Sequence, residues 1–209
     1  DPTYESDIIR TFVKLVEMDA VYQSRKPVIW SYGAGTALAE AEVEYLDKKS
    51  MAVYVRFPLE NGAGGLDGAS MVIWTTTPWT LPANLGIAVH EKFDYLCGTF
   101  NHEDGRSVKL VVAKDLLEDF AAKTGFTLGE MHTEFKGGEL EGKEATHPFL
   151  PRSSQIILAN FVTTETGTGA VHIAPGHGAD DYVAGQQNEL GLLSPVDGDG
   201  KFTDECGLD

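Results

Sequence analysis

Near the start of the chain, apolar residues return at three- and four-residue steps: Ile8, Ile9, Phe12, Val13, Leu15, Val16 and Val21. That is the helical period, and it predicts an amphipathic helix over residues 6–22. After Lys26-Pro27, the short apolar run Val28-Ile29-Trp30 leads into the turn Gly33-Ala34-Gly35. The pattern then changes. Ala39, Ala41, Val43 and Tyr45 alternate with Glu40, Glu42 and Glu44, and Met51, Val53, Val55 and Phe57 alternate in the same way. A period of two predicts strands whatever the propensities of Ala and Glu, here a hairpin across residues 47–50. Gly-rich residues 61–68 read as a loop between strands. Further strands are expected at 71–75, 86–89, 95–100, 108–113, 155–163 and 170–173. Helices are expected at 114–123, stopped by Thr124-Gly125, and at 180–190, with Gly191 as terminator. With strands outnumbering helices roughly three to one, the expected fold class is α/β, a mainly antiparallel, barrel-like β domain with peripheral helices. No repeat or linker divides the chain, so one domain over 1–209 is expected, with residues 1–30 as an N-terminal helix and lead-in strand and 31–209 as a β-rich core.

Composition narrows the class. At 209 residues, with 42% hydrophobic and 23% charged side chains, the chain can bury a core without disulfide or metal staples and is not of disordered type. No apolar run reaches the roughly 18 residues that would span a bilayer, so a transmembrane role and a membrane partner are excluded. The N-terminus carries no targeting pattern, and without an initiator Met the chain reads as a fragment. Only Cys97 and Cys206 are present, far apart, which fits a reducing compartment, the cytoplasm. The formal charge is −16, from 32 acidic and 16 basic side chains. Such a surface repels phosphate, and on charge alone it argues against RNA as a ligand.

Two polar clusters could carry chemistry. In the first, WTTTPWT at residues 74–80, a strand runs into a Pro-marked turn and gathers four hydroxyls. Threonine is at home in strands, but four within six residues can also present several neutral donors and acceptors to a polar ligand. In the second, GTGAVHIAPGHGADD at residues 167–181, a strand ends in a Gly/Pro loop that feeds a helix start. Asp180 or Asp181 there can cap the helix amides. His172, His177 and Asp180 could hold a metal, although their spacing matches no zinc signature. Dinucleotide, P-loop and nucleophile-elbow fingerprints are all absent from the sequence.

Four segments, KPVIW at 26–30, ALAEAEVEY at 37–45, WTTTPWTLPAN at 74–84 and GTGAVHIAPGHGADDY at 167–182, carry a resemblance. In this order they are similar to the inserted editing domain of class I aminoacyl-tRNA synthetases, of the isoleucyl type. Valyl and leucyl relatives differ at Thr77-Pro78-Trp79 and at His172. Some relatives carry cysteines after the Trp at position 30, where this chain has Ser31-Tyr32-Gly33-Ala34-Gly35, so no metal knuckle is expected there. The signatures of the aminoacylation core are absent.

The resemblance implies an aminoacyl-tRNA ester hydrolase that edits valine mischarged on tRNA(Ile), after transfer and possibly before it, and excludes isoleucine sterically. Asp181 would pair with the α-ammonium and His172 would act as a steric gate. Thr75, Thr76, Thr77 and Thr80 would line the pocket around the terminal adenosine and ester, with Trp74 and Asn84 as supports. The partners implied are the 3′ end of the mischarged tRNA, its valine moiety and the rest of the synthetase chain. No metal or cofactor is implied in this domain, ATP and Mg serving only the synthetic core. One methylene separates the two amino acids, worth about 1–3 kcal/mol in a pocket, and this enzyme family is itself the standard worked example of that limit. Alternatives are an editing domain of the same fold with other selectivity, a metal-dependent hydrolase using His172, His177 and Asp180, and a non-catalytic RNA-binding insert.

Overall fold

The computed structural model describes residues 1–60 and 65–208. The elements in chain order are helix α1 (Pro2–Glu17) and strands β1 (Trp30–Ser31), β2 (Thr36–Ala37), β3 (Val53–Pro58), β4 (Ser70–Thr75), β5 (Gly86–Val89), β6 (Asp94–Asn101) and β7 (Ser107–Ala113). Helix α2 (Leu117–Thr124) follows, then β8 (Thr127–Lys136), β9 (Glu144–Thr146), β10 (Ser153–Leu158), β11 (Ala170–Ile173) and helix α3 (Ala179–Gln187).

The strands form a small β1-β2 ribbon, a five-stranded sheet in the order β3-β4-β7-β6-β8 and a four-stranded sheet in the order β11-β5-β10-β9. Pairing is antiparallel except for β4 with β7 and β5 with β10. Alternate residues of the two larger sheets face one another: Phe57, Met71, Ile73, Tyr95 and Val111 from one meet Ile87, Val89 and Ile156 from the other. The intervening residues point outward to a helix. Val72, Leu96, Leu110 and Val112 are covered by Phe120 of α2, and Ala88, Ile157 and Ile173 by Ala184 of α3. Strands buried on both faces read as continuous apolar runs, which is why Met71-Val72-Ile73 and Leu110-Val111-Val112 are uninterrupted. Among the described residues these are two sheets and no closed barrel. They are tied where Glu60 N donates to Glu144 O at 2.9 Å and Ala113 N to Thr168 O at 2.9 Å.

Several expectations are corrected. Residues 39–45 form no strand: Glu42 turns back to accept from Ala39 N at 2.7 Å and closes a 3₁₀ turn over Glu40–Glu42. The partner of β3 is therefore β4, in register from Val53↔Thr75 to Pro58↔Ser70, and the expected hairpin does not exist. The loop expected at 61–68 falls partly on residues 61–64, outside the described residues. Helix α1 starts earlier than its apolar stripe because Asp1 accepts from Thr3 N at 2.9 Å with Pro2 in the first turn, and it ends before Asp19, at φ 54°. Its apolar stripe is exposed along its whole length. Helix α3 stops at Asn188, ahead of Gly191. Strand β10 ends at Leu158, short of the expected Thr163.

Candidate active site

Strand β4 ends at Thr75, and the chain turns through Thr77 into a 3₁₀ segment, Pro78–Ala83. The turn is built by the threonines: Thr75 Oγ1 accepts from Thr77 N at 3.1 Å and lies 3.3 Å from Thr77 Oγ1. Across from it, β11 pairs with β5 and places His172 opposite Ile87. Beyond β11 the loop 174–178 delivers the chain to α3, whose first turn holds Asp180 and Asp181. Between these parts lies a pocket of about 310 Å³. Its lining includes Trp74, Thr75, Thr77, Trp79, Thr80, His172, His177 and Asp181.

Behind one wall runs a buried hydrogen-bond chain whose directions can be assigned. Ser154 Oγ donates to Asn84 Oδ1 at 2.5 Å, and Asn84 Nδ2 donates to Gly86 O at 2.8 Å and faces His172 Nδ1 at 3.3 Å. An amide NH2 only donates, so Nδ1 accepts and the ring proton sits on Nε2. Nε2–H then donates to Thr80 Oγ1 at 2.8 Å, and the Thr80 hydroxyl donates to Thr77 O at 2.8 Å. Each of these side chains is satisfied in the neutral state of His172, whose pKa burial lowers to about 4, helped by His177 and His147. With both nitrogens engaged and so low a pKa, this ring is a fixed shape and not a free base.

The opposite wall is charged. Asp181 Oδ2 accepts from Ala174 N at 2.8 Å, and among the described residues no cation pairs with the carboxylate. Burial raises its pKa, partly offset by the Ala174 amide, while Asp180 raises it further. A half-buried, unpaired carboxylate is suited to a ligand cation. Gly178 makes room for it: a Cβ there would lie 2.7 Å from Asp181 Cγ.

Of the sequence-predicted residues, Trp74, Thr75, Thr77, Thr80, His172 and Asp181 converge on the pocket. Asn84 is fully buried behind His172. Thr76 is corrected: it is exposed and not part of the lining, because it sits in the bend just past the end of β4, while Thr75 Oγ1 holds Thr77 N in the turn beside the pocket. Asp180 is exposed, and among the described residues no three His, Cys, Asp or Glu side chains are placed to hold a metal ion. The sequence reading did not single out Ser154, for which no local signal exists, or Gly178, for which the Gly-x-x-Asp spacing was a usable one. Trp79 and His177, ring centroids 5.3 Å apart, separate this pocket from a wider cleft of about 710 Å³ and line both. That cleft also presents Lys26, Trp30, Tyr32 and Phe202.

Comparison with known proteins agrees with this architecture. The chain is 46% identical over 208 residues to the isoleucine–tRNA ligase of Desulforamulus reducens. It is 48% identical over 208 residues to that of Thermotoga neapolitana. Each match covers 99% of this chain, which spans only 22% of the length of either ligase. The fold is similar to that in the crystal structure of GlLeuRS-CP1, with a TM-score of 0.50 and 17% identity over 59% of this chain and 49% of that one. The family model for class I tRNA synthetases (I, L, M and V) matches residues 1–187, and the chain belongs to that family.

Proposed function

We propose that this chain is the editing part of an isoleucine-specific synthetase, and that it hydrolyses the ester of valine mischarged on tRNA(Ile) while sparing isoleucine. The observation that supports this most is the convergence of a neutral, rigid wall and an unpaired carboxylate on one small pocket. Asp181 receives the α-ammonium, and the side chain of the amino acid lies toward His172. Thr75, Thr77 and Thr80 offer neutral donors and acceptors to the ester, the terminal ribose and an attacking water. An aminoacyl ester is already activated, so positioning the water and holding the developing oxyanion suffice, and no metal step is needed. The wider aromatic cleft, entered past Trp79, gives the single-stranded RNA end a place to stack. Residues 1–209 act as one unit in this reading, attached to the rest of a synthetase that supplies most of the affinity for an RNA this acidic surface would otherwise repel.

The reading predicts that His172→Ala opens the pocket to isoleucine. In a full-length ligase carrying this segment, deacylation of Ile-tRNA(Ile) should rise about 10–200-fold, the range one methylene supplies, while hydrolysis of Val-tRNA(Ile) persists in the presence of a chelator. A folded variant that still spares Ile-tRNA refutes the steric gate. Loss of Val-tRNA hydrolysis on chelation, restored by one metal, favours the metal-dependent hydrolase.

A further inference from the structure

The 3₁₀ segment Pro78–Ala83, which carries Trp79 and Thr80 into the pocket, is held from behind by the loop between β9 and β10. His147, buried in that loop, has Nε2 2.9 Å from Leu81 O and Nδ1 3.1 Å from Leu150 N. A backbone amide only donates, so Nδ1 accepts and Nε2–H donates to Leu81 O. The ring is packed edge to face against Phe57, at 5.7 Å and 75°, and Phe149, at 4.6 Å and 87°. One carbonyl further on, Arg152 Nη2 donates to Pro82 O. The loop is closed on itself by His147 N to Arg152 O at 2.9 Å and Arg152 N to Leu150 O at 2.8 Å, so the two residues project from one closed turn.

The guanidinium is placed in an unusual way for a chain with twice as many acidic as basic side chains. Among the described residues no carboxylate pairs with it, and its buried Nε has no acceptor. A partly buried cation left so poorly compensated is a costly way merely to fill space. What it does hold is a carbonyl of the segment that forms one wall of the pocket.

We propose that His147 and Arg152 are positioning residues for selectivity, fixing the Leu81 and Pro82 carbonyls from behind and thereby the spacing between the Thr77–Thr80 turn and His172. This rests on the editing reading. The coupling runs through Thr80, whose hydroxyl donates to Thr77 O and accepts from His172 Nε2. A slip of the segment therefore moves Thr80 and loosens the ring opposite it. Discrimination by one methylene tolerates little such movement, because displacements of an ångström can cost about 100-fold in rate.

The test uses Arg152→Ala, Arg152→Lys, His147→Ala and His147→Gln in a full-length ligase carrying this segment. Deacylation of Val-tRNA(Ile) and Ile-tRNA(Ile) is measured with kcat and KM resolved, together with the melting temperature. Arg152→Ala and His147→Ala should each narrow the ratio of the two rates by about tenfold or more, through kcat and with KM for tRNA little changed. Arg152→Lys and His147→Gln, which each keep a donor, should recover most of the ratio at equal or lower melting temperature. If His147→Ala does not fold, the less buried Arg152 decides the matter. Variants that lose thermal stability but keep the parental ratio overturn the proposal in favour of a purely structural role. A parent that hydrolyses neither ester instead overturns the editing reading, and the proposal with it.

Discussion

The two walls of the pocket are held by opposite physics. The Thr80–His172 wall is neutral, buried and closed: every polar group in the chain from Ser154 to Thr77 finds its partner inside the protein. The Asp181 wall is charged and open, its carboxylate raised in pKa by burial and steadied by one backbone amide. A satisfied network stores shape, and an under-compensated charge stores affinity. The proposed editing function would use one of each, the first to measure a side chain by size and the second to hold an ammonium by charge.

The sharpest break in that comparison is removal of the charge. Asp181→Ala should cost about 2–4 kcal/mol in transition-state stabilisation for Val-tRNA deacylation, while Asp180→Ala, exposed and outside the lining, should leave the rate near parental. Loss with Asp180→Ala instead would move the role one residue along the helix.

Acid titration attacks the other wall. The folded pKa of His172, about 4, lies below its ordinary value of 6.5, so between these pH values the native state binds fewer protons than the unfolded chain. Its contribution is fully present above about 6.5 and is lost as pH falls toward 4, on the order of 3 kcal/mol from this residue. His147 and His177, both lowered by burial, act in the same direction. Asp181 opposes them at the acid end, since its raised pKa means protonation relieves a penalty. Denaturant melts from pH 7 to 4 should show the loss, and His172→Gln should flatten it. A pH-independent melt would mean the ring is not held neutral.

The smallest expected effect is the most local. Gly178 has an ordinary φ of −95°, so Gly178→Ala strains no backbone, yet its Cβ would press on the Asp181 carboxylate from 2.7 Å. Deacylation should fall about tenfold with the melting temperature within a few degrees of the parent. An unchanged rate would show that Asp181 has room to move and still serve.

The elements legible in the sequence were those whose neighbours along the chain carry the signal. Strands β4 to β7 and β11 are apolar runs ended by local turn residues, and α2 stops where Gly125 takes φ +74°. The alternation at 39–45 misled because period two records which residues share a face, not whether anything covers that face. Strand β8 was invisible for the complementary reason. It lies at the edge of its sheet with most of its residues exposed, so its residues carry no burial pattern, and only its pairing with β6 makes it a strand.

By itself the sequence determined the chemistry available: which segments hold hydroxyls, imidazoles and carboxylates, and the apolar runs that would become the core. The tertiary structure alone decided which of them meet. Thr75 and Thr77 enter the pocket and Thr76 does not, because the chain leaves β4 at Thr75 and the bend that follows leaves Thr76 in solvent. Asp181 faces the pocket and Asp180 the solvent because the α3 helix presents them about 100° apart. Ser154, His147 and Arg152 support walls built by residues some 70 positions away. No local pattern encodes such contacts, since they arise only when β10 and the loop before it are laid beside β5 and the segment that precedes it.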